Sequence, residues 1–79
     1  MKLPRDLTGA ELVKRLSRLG YRPTRQTGSH VRLTALAPRQ NHLTVPLLKP
    51  LPVGTLSALL KSASSQLEMD LAELTKRIL

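Results

Sequence analysis

Leu12, Val13, Leu16 and Leu19 recur three and four residues apart, and Lys14, Arg15 and Arg18 fill the positions between them. That spacing predicts a helix with one buried stripe and a basic outer side. Ahead of it, Thr8-Gly9-Ala10-Glu11 reads as a capping box, in which threonine at N-cap and glutamate at N3 satisfy each other's backbone donors. Leu7 and Leu12 fit the accompanying hydrophobic staple. Gly20 is the expected left-handed stop, with Tyr21 folding back on Leu16. The helix is thus expected over Gly9–Leu19, after a loose basic lead-in over residues 1–7.

The period then changes from helical to alternating. His30–Leu36 places Val31, Leu33 and Ala35 on one side and His30, Arg32 and Thr34 on the other, which predicts a half-buried strand. Arg22–Thr27 precedes it as a strand, and Pro23 marks an edge because proline cannot donate to a ladder. Gly28-Ser29 between them fits a two-residue type II′ turn, with glycine supplying the positive φ. That register sets Thr27 opposite His30 and Arg25 opposite Arg32, so all four share one face with Thr34. Ala37–Asn41 reads as a turn and His42–Val45 as a short third strand ended by Pro46. Three prolines make Pro46–Val53 a stiff connector. Leu56, Leu59, Leu60 and Ala63 predict a second helix over Gly54–Ser64. Ser65-Gln66-Leu67-Glu68 reads as another capping box, opening a third helix with Leu67, Leu71, Leu74 and Ile78 on one face and Met69 off it. Those apolar positions read as core or as an oligomer seam. The order is α-β-β-β-α with an extra C-terminal helix: an α+β fold with a three-stranded antiparallel sheet. It is the layout of a double-stranded-RNA-binding domain, which reads duplexes by shape.

Seventy-nine residues allow one small domain, residues 1–79. With no cysteine, neither disulfides nor thiolate metal sites support it. The N-terminus has no signal-peptide core, and no apolar run approaches the roughly 20 residues that cross a bilayer, so a cytoplasmic protein without a membrane partner is expected.

Charge changes the picture more. Residues 1–49 hold ten basic and two acidic side chains, whereas residues 50–79 hold three of each, so the first part carries the whole +8. Such asymmetry points to a polyanion, and nucleic acid is the usual one. Tyr21 is the only aromatic residue. Base-stacking platforms are therefore excluded, and contact must run through phosphates, 2′-hydroxyls and helix shape.

RNA carries its own nucleophile in the 2′-hydroxyl. Cleavage needs a base for that proton, an acid for the departing 5′-oxygen and cations for the charge on phosphorus. His30 fits either proton role. One histidine does not readily serve as both, so Ser29, an arginine or water must contribute. Arg25 and Arg32 are the candidates for holding the phosphate, with Gln26 counted beside them. Lys14, Arg15 and Arg18 read equally well as a phosphate track or a solvated face. Neither Cys nor a placed carboxylate accompanies His30 and His42, so no metal and no cofactor is expected. His42 itself reads as a solvated histidine.

Thr8-Gly9-Ala10-Glu11-Leu12-Val13-Lys14, Leu19-Gly20-Tyr21, Arg25-Gln26 with Gly28-Ser29-His30, Thr44-Val45-Pro46, Gly54-Thr55-Leu56 and Leu59-Leu60-Lys61 follow one another in an order and spacing that resembles the HicA toxin family. The likeness spans roughly residues 8–64. It implies a double-stranded-RNA-binding-like fold and a metal-independent ribonuclease that cleaves mRNA. It also implies a HicB-type antitoxin as partner, with His30 as the catalytic histidine. A homodimer and a toxin–antitoxin hetero-oligomer are both open. The chain departs from the pattern at Leu47-Leu48-Lys49, where many members carry a histidine. That departure motivates the alternative of a non-catalytic RNA-binding module of the same fold.

Overall fold

The computed structural model describes residues 3–79. Met1 and Lys2, the start of the expected lead-in, lie outside the described residues. The remainder of that lead-in is not loose, because Leu7 is buried and Leu3 packs against the core.

The first capping box forms as the sequence predicts. The Thr8 hydroxyl accepts from the Glu11 N–H at 3.1 Å, and the Thr8 N–H donates to the Glu11 carboxylate at 2.9 Å, opening α1 (Gly9–Leu16). That N–H, and after it the hydroxyl, hold the Glu11 carboxyl below the usual carboxylate range. α1 ends earlier than the leucine spacing suggests and tightens into a 3₁₀ turn over Ser17–Leu19. Gly20, at φ 92°, stops it, and the Tyr21 N–H donates back to the Leu16 carbonyl at 3.3 Å.

Three antiparallel strands follow, β1 (Arg22–Thr27), β2 (His30–Ala35) and β3 (Asn41–Pro46), in the order β1-β2-β3. β1 is an edge, as Pro23 demands, and it bulges between Pro23 and Arg25. In the connecting turn Gly28 has φ 57° while Ser29 stays out of the left-handed region, the type II′ signature. Three strand boundaries differ from the expectation. β2 stops at Ala35 and leaves Leu36 76% exposed. β3 begins one residue earlier, because the Asn41 side chain is buried as acceptor for the Tyr21 hydroxyl at 2.7 Å. It also extends through Pro46, which an outer strand tolerates without losing a ladder bond.

α2 (Val53–Leu67) runs three residues beyond the expected Ser64, and α3 covers Leu71–Ile78. Ser65-Gln66-Leu67-Glu68 is therefore not a helix start. Ser65 lies inside α2, Glu68 ends it in the left-handed region at φ 53°, and the Asp70 side chain caps α3 by accepting from the Glu73 N–H at 3.3 Å. Met69, expected off the apolar face, packs partly against the core. One face of the sheet (Val31, Leu33, Ala35, Leu43, Val45) meets Leu12, Leu16, Leu56, Leu60, Leu74 and Ile78, all buried. Burial of each large apolar side chain contributes about 1.5–3 kcal/mol. No described helix is long and apolar enough to cross a membrane.

Candidate functional site

The alternation that buries Val31, Leu33 and Ala35 turns His30, Arg32 and Thr34 to the other side of the sheet. Cross-strand pairing completes that side: Thr27 lies opposite His30, Arg25 opposite Arg32, and Thr44 opposite Arg32 on β3. Arg25, Thr27, His30, Arg32 and Thr44 line one open depression of about 260 Å³. The sequence names Arg25, Thr27, His30 and Arg32 as one face, and the structure brings them together. Thr44 goes unnoticed in the sequence because the loop before β3 does not reveal that strand's register.

His30 is exposed, and its backbone is firmly held. The Leu47 N–H donates to the Ser29 carbonyl at 2.7 Å, and Pro46 pairs with His30. The exit of β3 is in turn clasped by the start of α1. The Gly9 N–H donates to Leu48 O at 2.9 Å, and Leu7 O accepts from the Leu51 N–H at 2.7 Å. A Cβ on Gly9 would collide with Pro46 O and sit 2.9 Å from the Leu47 Cα, so only glycine permits this approach. Gly9 is thus a positioning residue that the sequence shows only as the first residue after a cap.

The remaining candidates divide. Ser29 is exposed beside His30, with its carbonyl committed to Leu47. Gln26 pairs with Val31 and so points to the opposite side from His30, where its Nε2 donates to the Gly28 carbonyl at 3.1 Å and braces the turn. Lys14, Arg15 and Arg18 share a separate depression of about 260 Å³ with Glu11, and it has no lining residue in common with that around His30. Arg15 is partly committed, because its Nη1 donates to the Ile78 carbonyl at 2.9 Å at the end of α3.

Residues 22–46 contain no Asp or Glu. Arg25 and Arg32 face each other across the ladder with no acidic partner among the described residues. Like charges directly opposite destabilise a sheet, so this pair concentrates positive charge on the face at a cost in stability. Among the described residues no three His, Cys, Asp or Glu side chains converge as a metal site would.

A family model described as the HicA toxin of bacterial toxin–antitoxin systems matches residues 9–64. The chain belongs to the HicA toxin family. Comparisons with curated proteins and with solved structures found no match. The HicA match covers α1, all three strands and most of α2, so the whole basic sheet face lies within it. α3 lies outside the matched span, although its Leu74 and Ile78 complete the same core. Membership in the HicA family makes this a toxin of a toxin–antitoxin system, with an antitoxin as its partner.

Proposed function

We propose that this toxin is a metal-independent endoribonuclease that cleaves mRNA at the depression around His30 and is neutralised by a HicB-type antitoxin. The observation that carries the reading is an exposed imidazole in a depression that it shares with the guanidinium groups of Arg25 and Arg32. His30 moves a proton, either taking it from the 2′-hydroxyl or giving it to the leaving 5′-oxygen. The 2′-oxygen bonds to phosphorus, the bond to the 5′-oxygen breaks, and a 2′,3′-cyclic phosphate and a 5′-hydroxyl result. Arg25 and Arg32 hold the phosphate and stabilise the charge on its oxygens. Ser29 or a water completes the proton path. Gln26 acts through the turn, and Lys14, Arg15 and Arg18 offer phosphate contacts remote from the chemistry.

Expressing wild type and His30→Ala in bacteria, with growth and transcript integrity as readouts, tests this. Loss of a general acid or base costs about 10²–10⁴-fold in rate, so the variant leaves transcripts intact and cells growing. Equal arrest by both proteins removes His30 from the chemistry. Purified wild-type protein that binds RNA without ever cleaving it would instead support the non-catalytic module.

A further inference from the structure

His42 lies on the same side of the sheet as His30. It pairs with Thr34, four residues along β2 from His30, which separates the two rows by about 13 Å at the usual strand rise. Two histidines that far apart do not share one proton transfer. Arg32 and Thr44 form the row between them, so the basic depression around His30 reaches to within one row of His42.

The ring of His42 is held by a chain of hydroxyls. Its Nδ1 lies 2.9 Å from Thr34 Oγ1, which lies 2.8 Å from Thr24 Oγ1, which donates to the Arg32 carbonyl at 3.4 Å. The β1 bulge between Pro23 and Arg25 is the irregularity that accompanies Thr24 in this row. A carbonyl only accepts, and each hydroxyl has one hydrogen. All three links are satisfied when Thr24 donates to Arg32, Thr34 to Thr24, and His42 Nδ1–H to Thr34. His42 Nε2 is then an acceptor, with no hydrogen-bond partner among the described residues. The Thr34 contact holds this half-buried ring, and the hydroxyl chain assigns its neutral tautomer, so on strands without acids Nε2 is left to meet a donor.

We infer that His42 is a substrate-positioning residue whose Nε2 accepts a hydrogen bond from a donor group of the RNA, a ribose 2′-hydroxyl or a base amino group, a few nucleotides from the cleaved linkage. The inference rests on the ribonuclease reading for its ligand class. The absence of acids along residues 22–46 favours a polyanionic RNA strand as the occupant of this face. A 2′-hydroxyl contact would also let the protein tell RNA from DNA at that position.

The test measures affinity for short RNA strands by fluorescence anisotropy in a His30→Ala background, so that binding is read without cleavage. His42→Ala weakens binding about 10-fold, the worth of one hydrogen bond to a held partner. Thr34→Val, which removes the hydroxyl that orients the ring, gives a similar loss, and His42→Gln, which keeps an acceptor near Nε2, restores most of the affinity. Single 2′-deoxy substitutions along the strand identify a ribose contact if one of them abolishes the affinity difference that His42→Ala makes; base substitutions identify a base contact in the same way. With His30 restored, His42→Ala raises KM and leaves kcat unchanged. Unchanged RNA affinity in His42→Ala overturns the inference, as does an equal loss on an all-DNA strand. Weakened antitoxin capture with RNA affinity intact also overturns it and assigns the row to the protein partner. Because binding is read apart from cleavage, a wild type that binds but does not cut would sink the ribonuclease reading while leaving this result standing.

Discussion

At the scale of single residues, the sheet face gathers like charge at a cost in stability, as the proposed RNA site requires. Arg25 and Arg32 repel each other across the ladder, and β-sheet pairs of this kind cost about 0.2–1 kcal/mol. Arg32→Thr is therefore expected to raise stability at low salt by about 0.5 kcal/mol while lowering kcat/KM about 10²-fold. Denaturant melts and cleavage assays on the same preparation check this, and a variant that loses both would count against an anion site. Tyr21 shows the opposite balance. Burial pushes its phenol up to about 12, and its hydroxyl donates to Asn41. A raised folded-state value means the neutral phenol is favoured, so this stability is fully present below about pH 10 and is lost between about pH 10 and pH 12. Tyr21→Phe is expected to cost about 1–3 kcal/mol at neutral pH, because Asn41 Oδ1 stays buried without its donor. Measured against wild type, that gap narrows as pH rises through the alkaline window; a constant gap would mean the phenol is not desolvated. Tyr21 is legible in the sequence as a fold-back onto Leu16. Its polar partner is not, since Asn41 is 20 residues away and reached only through the sheet.

At the scale of elements, the sequence is clearest where a local signal has no competitor. The Thr8–Glu11 box, Gly20, Pro23 and Gly28 each specify a backbone event, and each event occurs. The hairpin register follows from a two-residue turn, which leaves no freedom to slip. The failures share a cause. Ser65–Glu68 and Asp70–Glu73 both resemble helix starts, and the choice depends on Glu68 adopting a left-handed conformation that usually signals glycine. The Met69 N–H donating to Ser64 O, and Ser64 Oγ donating to Met69 O, close that corner after the chain has folded. The clasp between α1 and the β3 exit is likewise invisible in the sequence, because Gly9 and Pro46 meet only in three dimensions. It carries a prediction that contrasts two glycines. Gly9→Ala forces Pro46 and Leu47 backbone apart from α1, so it is expected to cost about 3 kcal/mol and to lower cleavage further by displacing His30. Gly20→Ala meets no atom within 4 Å and suffers only left-handed strain of about 1–2 kcal/mol, with cleavage unchanged. Melting temperatures and kcat for the pair distinguish the two causes, and equal kcat losses would show that the clasp does not position the site.

At the scale of the whole molecule, charge asymmetry raises the question of how many basic surfaces the proposed RNA substrate would touch. The depression around His30 and that around Lys14, Arg15 and Arg18 share no lining residue, yet both belong to the part of the chain that carries all +8. Counterion release makes the logarithm of affinity fall linearly with the logarithm of salt, by about 0.7 per phosphate neutralised on a single strand. If RNA crosses both surfaces, replacing Lys14 and Arg18 together by alanine lowers that slope by about 1.4, because both side chains are exposed and free to meet phosphates. kcat at saturating RNA stays at the wild-type value, since neither side chain reaches the linkage being cut. Replacing Arg25 and Arg32 lowers the slope by a similar amount but takes kcat down with it. Lys61→Ala, on the neutral part of the chain, changes neither quantity. An unchanged slope in the Lys14/Arg18 variant would confine the RNA footprint to the sheet and leave the α1 side as a solvated surface, or as one available to the antitoxin while RNA is bound.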